Sequence, residues 1–509
     1  MMLTGRFNLV ACTAGTMKHT CLVLLLVALS QPALAQQGYP YPRPPYGQAY
    51  APYTPATPFI PNSGHSLQTR SYYGAYQGYP PPTMPQYYQP GYFYPSPQYS
   101  APQTSFPPRP AVVAVIPHAP VETELVAAPA QPSYFDCRRK ESAWFSADYV
   151  MAFARPGNLG IPLLTTGNVT DFIPGAIGQP GTVVLFGNNN LDFGMRNGFK
   201  LEAGVWVDEE NRYSLDVGGF YLVPSVINFQ ASSDANGTPA LFRPLFNVVT
   251  NREEAEVVAF PTDGVNPARA AGSTFIEASS FLVGGEINGR YNLPTHKSVS
   301  AQTLCGFRFL HMDESLIIRD SVQPLQNSFL TFQGAFVNPP NSLTDEDRFE
   351  TANTFFGLQL GGRLRWRKDF FFVDVLGKVA LGATQQRVNI NGFSTLITPT
   401  GNTVAQGGIL ALPSNQGEHT RFVLGVVPEV GVNFGVDVLK HVRIRTGYSL
   451  LMWNKVVRPG DQIDRNVNPA QIPTDQSFGT LGGPTRPTFD FHNQFFWVHA
   501  LNIGFEIHY

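Results

Sequence analysis

The sequence predicts an all-β chain whose larger part is an antiparallel transmembrane β-barrel of about ten strands. Three observations carry that prediction. The first is the stretch from Phe495 to Tyr509, where Phe495, Trp497, Leu501, Ile503, Phe505, Ile507 and Tyr509 share one parity, broken only by His499. The other parity near the terminus holds Ala500, Asn502, Gly504, Glu506 and His508. A period of two is a strand with one apolar and one polar face, and ending on an aromatic at the membrane interface is an outer-membrane barrel pattern. The second observation is that the same alternation recurs from Trp144 onward. The third is that the connections are long and short by turns, which segregates loops from tight turns as outer-membrane barrels do.

In chain order, Phe145, Ala147, Tyr149, Met151 and Phe153 alternate with Ser146, Asp148 and Val150. Phe199, Leu201, Ala203 and Val205 alternate with Lys200, Glu202 and Gly204, and Asp208 to Arg212 then lead into Tyr213, Leu215 and Val217 against Ser214 and Asp216. A short polar link between two alternating runs is a β-hairpin. Phe281, Val283, Ile287 and Tyr291 alternate with Glu286 and Arg290, and beyond Pro294, Val299, Ala301, Phe307 and Phe309 alternate with Gln302 and Arg308. Phe356, Leu358, Leu360 and Leu364 oppose Gln359, Arg363 and Arg365; Phe371, Val373, Val375 and Val379 oppose Asp374 and Lys378. Phe422, Leu424, Val426 and Val430 oppose Glu429, and Val442, Ile444 and Tyr448 oppose Arg443 and Arg445. Long connections are expected over 155–197, 223–273, 313–348, 389–418 and 458–494. The count becomes twelve if Thr182 to Phe186, which is strand-like, joins the wall.

Composition agrees with such a chain. Only 14% of the 509 residues are charged, 13% are aromatic and the formal net charge is -2, which leaves no basic footprint for nucleic acid. No apolar run approaches the roughly 20 residues of a spanning helix. Mean hydropathy is -0.09, as alternating strands average to neutral.

Before the barrel, Cys21 to Leu29 is a short apolar run preceded by Lys18 and His19 and followed by Ala33, Leu34 and Ala35. That order makes residues 1–35 a secretory signal peptide cut after Ala35, with Met17 as an alternative start. Leu9, Val10, Ala11 and Cys12 resemble a lipoprotein box without the hydrophobic core that should precede it. Residues 36–133 are rich in Pro, Tyr and Gln, so neither helix nor sheet propagates there. They read as a disordered, extended periplasmic spacer, or alternatively as a segment whose tyrosines contact cell-wall material or a proline-recognising partner. Residues 134–509 form the barrel domain. Of Cys137 and Cys305 in the mature chain, Cys305 falls on an apolar parity, and the two are expected to be unpaired rather than bridged.

The segments GFRFLHMDESL (Gly306 to Leu316), FETANTFFGLQLGG (Phe349 to Gly362), KVALGATQQRVNINGFST (Lys378 to Thr395) and YSLLMWNKVVRPGDQIDRNVN (Tyr448 to Asn468) resemble the type-seven β-barrel porin family of planctomycete-type bacteria. The resemblance covers Trp144 to Tyr509 and implies an outer-membrane barrel. It brings neither a transported solute nor a catalytic residue.

With the apolar parity toward lipid, the lumen receives Asp148, Glu202, Asp216, Glu286, Asp374, Glu429 and Glu506 with Lys200, Arg290, Arg308, Arg363, Arg365, Lys378, Arg443 and Arg445. In a barrel of about ten strands these nearly balanced charges are expected to fill the interior as paired groups. The alternative is a channel in which Arg363, Arg365, Arg443 and Arg445 form an anion-attracting ring. Arg458, Pro459, Gly460, Asp461 and Asp464 open the last long loop; Pro459 and Gly460 dictate a turn, which the two aspartates cap or, less simply, use to hold a hard cation. Asp345, Glu346 and Asp347 read as a solvated acidic rim. No metal, cofactor or enzyme motif stands out. Ten-stranded barrels include surface proteases, but His296, His311 and His492 carry no partner pattern. The terminal strand, with Trp497, Phe505, Ile507 and Tyr509, is expected to engage outer-membrane lipid and the barrel-assembly machinery. The expected function is porin-like passive diffusion of small hydrophilic solutes or, alternatively, a non-conducting anchoring or adhesion barrel. In either case the long loops face outward from the cell and the C-terminus faces the periplasm.

Overall fold

The computed structural model describes residues 142–295, 298–327 and 329–509. The signal peptide, the Pro/Tyr-rich segment, Cys137 and His296 lie outside the described residues.

Ten strands form the wall: β1 (Ala143–Ala154), β2 (Met195–Trp206), β3 (Tyr213–Ser232), β4 (Ala270–Leu293), β5 (Val299–Pro324), β6 (Ser342–Lys368), β7 (Phe371–Thr398), β8 (Gly417–Leu439), β9 (Val442–Val456) and β10 (Gln494–His508). Each pairs antiparallel with its neighbour in sequence, and β10 closes the ring on β1 with Phe145 opposite Ile507 and Met151 opposite Leu501. Closure satisfies the edge groups that an open sheet would expose to lipid. The tight turns are compact; β6 and β7 are joined through Asp369 and Phe370, with Asp369 at φ 53°, the left-handed conformation that such two-residue turns require.

The outer face carries a belt of apolar side chains. On β4 it runs from Phe281 to Tyr291, and on β6 from Phe356 to Trp366, which matches the roughly 9–11 residues of a tilted membrane-crossing strand. His499 interrupts the belt without breaking it, since its ring stacks on Phe153 at 5.4 Å and on Trp497 at 5.5 Å.

The wall is taller than the belt on one side. β3 to β8 are 20 to 28 residues long, whereas β1, β2, β9 and β10 are 12 to 15. The expected loop boundaries at Val223, Asp313, Arg348 and Asn389 are therefore corrected: the strands continue past the belt as a tall sheet. Pro224 marks one edge of that sheet. It lacks an N–H, a register shift falls between Leu222 and Ser225, and the inward parity changes from Leu222 to Ile227 and Phe229. Pro428 marks the other, where the β8–β9 ladder ends at Glu429 opposite Leu451.

The long connections fold into the cup so formed. A small separate sheet joins Leu241–Asn247 with Gly157–Thr166, Val183–Leu191, Arg252–Ala259 and Asn466–Val467. The strand-like run at Thr182 to Phe186 belongs to this loop sheet, so the wall count stays at ten rather than twelve. Its apolar side and the neighbouring loops meet inward residues of the tall wall: Leu159, Leu163 and Leu245 of the sheet, with Ile409 and Ile472 of the loops, pack with Ile276, Leu316, Phe349 and Val388.

Candidate functional site

Three layers occupy the barrel interior, beginning at the tight-turn end with charge. Asp148, Glu202, Asp216, Arg290, Arg308, Asp374, Lys378, Glu429, Arg443, Arg445 and Glu506 are all buried, and Lys200, Glu286, Arg363 and Arg365 are partly so. Arg290 lies between Glu202 and Asp216 at 2.6 Å from each. Arg445 holds Asp148 at 2.6 Å and Glu506 at 3.0 Å, and Arg443 holds Glu506 at 2.9 Å.

Other pairs span the lumen between strands that are not neighbours. Lys378 on β7 bonds both carboxylate oxygens of Glu286 on β4, at 2.8 and 2.7 Å. Arg308 on β5 pairs with Glu429 on β8. Arg363 on β6 reaches Glu202 on β2 at 3.6 Å, and Arg365, which bonds Asp374 on the adjacent β7 at 2.5 Å, reaches Glu506 on β10 at 3.8 Å. The arginines of the expected anion ring thus each have a carboxylate, while Glu429 serves Arg308 and Lys378. At buried sites such pairs hold because each charge keeps a partner and further hydrogen bonds.

Above the charges lies an apolar layer in which Val150, Leu222, Leu282, Leu310, Phe355, Val427, Trp453 and Phe496 meet. Trp453 is fully buried, sets its ring edge-on to Phe355 at 6.2 Å and donates its indole N–H to Thr384 Oγ1 at 3.0 Å. Burying that N–H without a partner would be costly, and Thr384 removes the cost.

The third layer is the loop plug and its anchors. Arg458 is buried rather than exposed at a loop surface; it forms a bidentate pair with Glu314 at 2.7 Å and donates to the Arg155 carbonyl. Asn353 clasps the Val457 backbone from both sides, donating to its carbonyl and accepting from its N–H at 2.8 Å. Pro459 and Gly460 then begin a single 3-10 turn, Pro459–Gln462. Asp461 accepts from Asn158 at 2.8 Å, while Asp464 accepts from Arg486 and from the backbone of Asn466 and Thr488. Asp461 and Asp464 thus serve chain geometry, and among the described residues no group of His, Cys, Asp and Glu could hold a metal ion.

Asp345, Glu346 and Asp347 are not a solvated rim. Asp345 and Asp347 point inward and are buried, and Glu346 is wedged on the outer face between Arg319 and Arg348. The fully buried Arg243 bridges Asp320 and Asp347. The other oxygen of Asp347 accepts the N–H groups of Ile409, Leu410 and Ala411 at 2.8 to 2.9 Å, a concave nest of donors around an anion. Gly408 permits this approach, since a Cβ there would lie 2.3 Å from Asp347 Oδ1. Asp345 accepts from Ser394 at 2.5 Å, but burial and then Asp320 and Asp347 push its carboxyl up to about 7. Glu256, facing Asp475 and Asp345, is raised well above the usual carboxylate range, again mainly by burial.

Sequence reading did not find Arg243, Asp320, Glu314 or Asn353. His311 lies on the outer face, bonded to Thr354 and Asp313, and His492 lies in the last loop near Gln462. On the terminal strand, Phe505 and Tyr509 are exposed on the outer face beside half-buried Trp497 and Ile507. Cys305 points outward and forms no disulfide among the described residues.

Such a closed, belted wall with tight turns at one end defines a transmembrane β-barrel. The family described as "Putative beta barrel porin-7 (BBP7)" matches residues 144–509, and the chain belongs to that family of outer-membrane barrels. No curated protein matches the chain. Among solved structures, it is similar to the outer membrane protease OmpT from Escherichia coli at 8% identity and TM-score 0.30, covering 73% of this chain and 98% of that one. The P. putida toluene transporter TodX follows at 9% identity and TM-score 0.15, with 72% and 90% covered, and a Pseudomonas aeruginosa FadL homologue at 7% and 0.18, also with 72% and 90%.

Proposed function

We propose that the chain is an outer-membrane barrel closed in its resting form, a non-conducting wall that presents a folded loop plug at the cell surface. The observation that carries this reading is the set of ion pairs that cross the lumen, Lys378 to Glu286, Arg308 to Glu429 and Arg363 to Glu202, roofed by the apolar layer around Trp453. A hydrated ion crossing that stack would have to break paired buried charges and then enter an apolar layer, each step costing several kcal/mol.

In this reading the long loops are extracellular and the tight turns and C-terminus periplasmic. The outward aromatics of β10 meet lipid and the barrel-assembly machinery, and the exported Pro/Tyr-rich segment reaches toward the cell wall. It is not an enzyme, a reading supported by the porin family. The porin reading, passive diffusion of small hydrophilic solutes, is favoured by the family's description. Liposome swelling decides between them: proteoliposomes of folded protein in a small sugar should swell no faster than empty ones, and rapid swelling would establish the pore.

A further inference from the structure

Between the charge layer and the apolar layer lies a cavity of about 60 Å³, room for a few waters or a small ion. Its charged lining consists of Lys200, Arg308, Lys378, Glu286 and Glu429. Lys378 and Arg308 are committed to the two glutamates. Lys200 is half-buried and interacts with Glu202, Glu286 and Glu429 only through its field, with no hydrogen bond or close ion pair among the described residues, and Arg308 Nη1 is buried without a partner, the residue being only 3% exposed. The site therefore holds three cations against two carboxylates.

Neighbouring groups do not cancel the surplus. Arg290 and Arg363 match Glu202 and Asp216. Arg365, Arg367, Arg443 and Arg445 match Asp148, Asp374, Asp437 and Glu506. The apolar roof, including Leu222, Leu451 and Val498, separates the cavity from the plug. An uncompensated charge at such a depth is costly.

We propose that this cavity is a binding site for a small monovalent anion of the chloride class, held by Lys200 Nζ and the free Nη1 of Arg308. Ser449 and Asn502, on the same wall, supply further hydroxyl and amide donors. The site neutralises the interior whether or not the barrel conducts, so it stands apart from the reading above.

The test is refolding of the mature protein into detergent with chloride or gluconate at equal ionic strength, followed by urea unfolding. An anion bound only to the folded state raises the folding equilibrium constant about tenfold per tenfold chloride above its dissociation constant. Wild type should show that rise in chloride or bromide and none in gluconate. Lys200→Met should abolish it, and so should Ser449→Asp, which supplies a built-in carboxylate and decides the matter if the first variant does not fold. Equal stability of wild type in chloride and gluconate would overturn the proposal. So would a chloride dependence that survives in both variants.

Discussion

Arg243 shows what a single side chain does in this fold. It lies in the loop strand Leu241–Asn247, yet its guanidinium is fully buried and joins Asp320 of β5 to Asp347 of β6. Arg243→Ala would leave two carboxylates buried without their cation, and breaking such a pair costs about 3–5 kcal/mol. Hydrogen exchange should show that loss at the Ile409, Leu410 and Ala411 amides, which share Asp347, while amides of β9 and β10 keep their protection. Trp453→Ala should lower barrel stability by about 3–5 kcal/mol in urea unfolding, through the cavity it leaves. Glu286 and Lys378 read as inward from the sequence because each sits in an unbroken period of two. Arg243 sits in a run, Leu241 to Phe246, that is apolar on both faces, and no periodicity announces which charge is covered.

At the scale of elements, the tall half of the wall explains what sequence reading missed. Within the belt the apolar parity faces lipid; above it the outward positions of β5 carry Asp313, Ser315 and Arg319 beside Ile317, and the inward ones carry Leu316 and Ile318 beside Glu314 and Asp320. The strand persists while both of its faces become mixed in polarity, so the run reads as a loop unless a second, protein-filled storey is expected. The loop plug then has a predictable pH dependence. The folded carboxyl of Asp345 titrates near about 7, against about 3.9 unfolded. A raised folded pKa means that the seated plug binds more protons than the unseated one. Its contribution is therefore complete below pH of about 4 and falls as pH rises to about 7. Glu256, raised in the same direction by burial, Asp475 and Asp345, adds a loss of the same sign. Protection of the Ile409 to Ala411 amides, corrected for intrinsic rates, should fall across that window, and Asp345→Asn should flatten it. An unchanged slope in that variant would assign the dependence elsewhere.

For the whole molecule, strand number sets the outcome. A wall of ten strands encloses little more than its own inward side chains, and this one fills that space with cross-lumen ion pairs, an apolar layer and the plug. The loops are thus built as a folded cap on a solid barrel, consistent with the buried Arg458–Glu314 and Arg243 anchors. Closure of the wall and its inward charges could be read from alternation and loop lengths. The depth of the plug could not, because it depends on contacts between loops far apart in sequence, such as Asn353 with Val457.

Single-channel recording in a planar bilayer tests closure most directly. Folded, heat-modifiable wild type at neutral pH should give no steps, and so should a variant lacking residues 36–133. Stable, stepwise conductance from either would contradict a closed lumen and establish a pore.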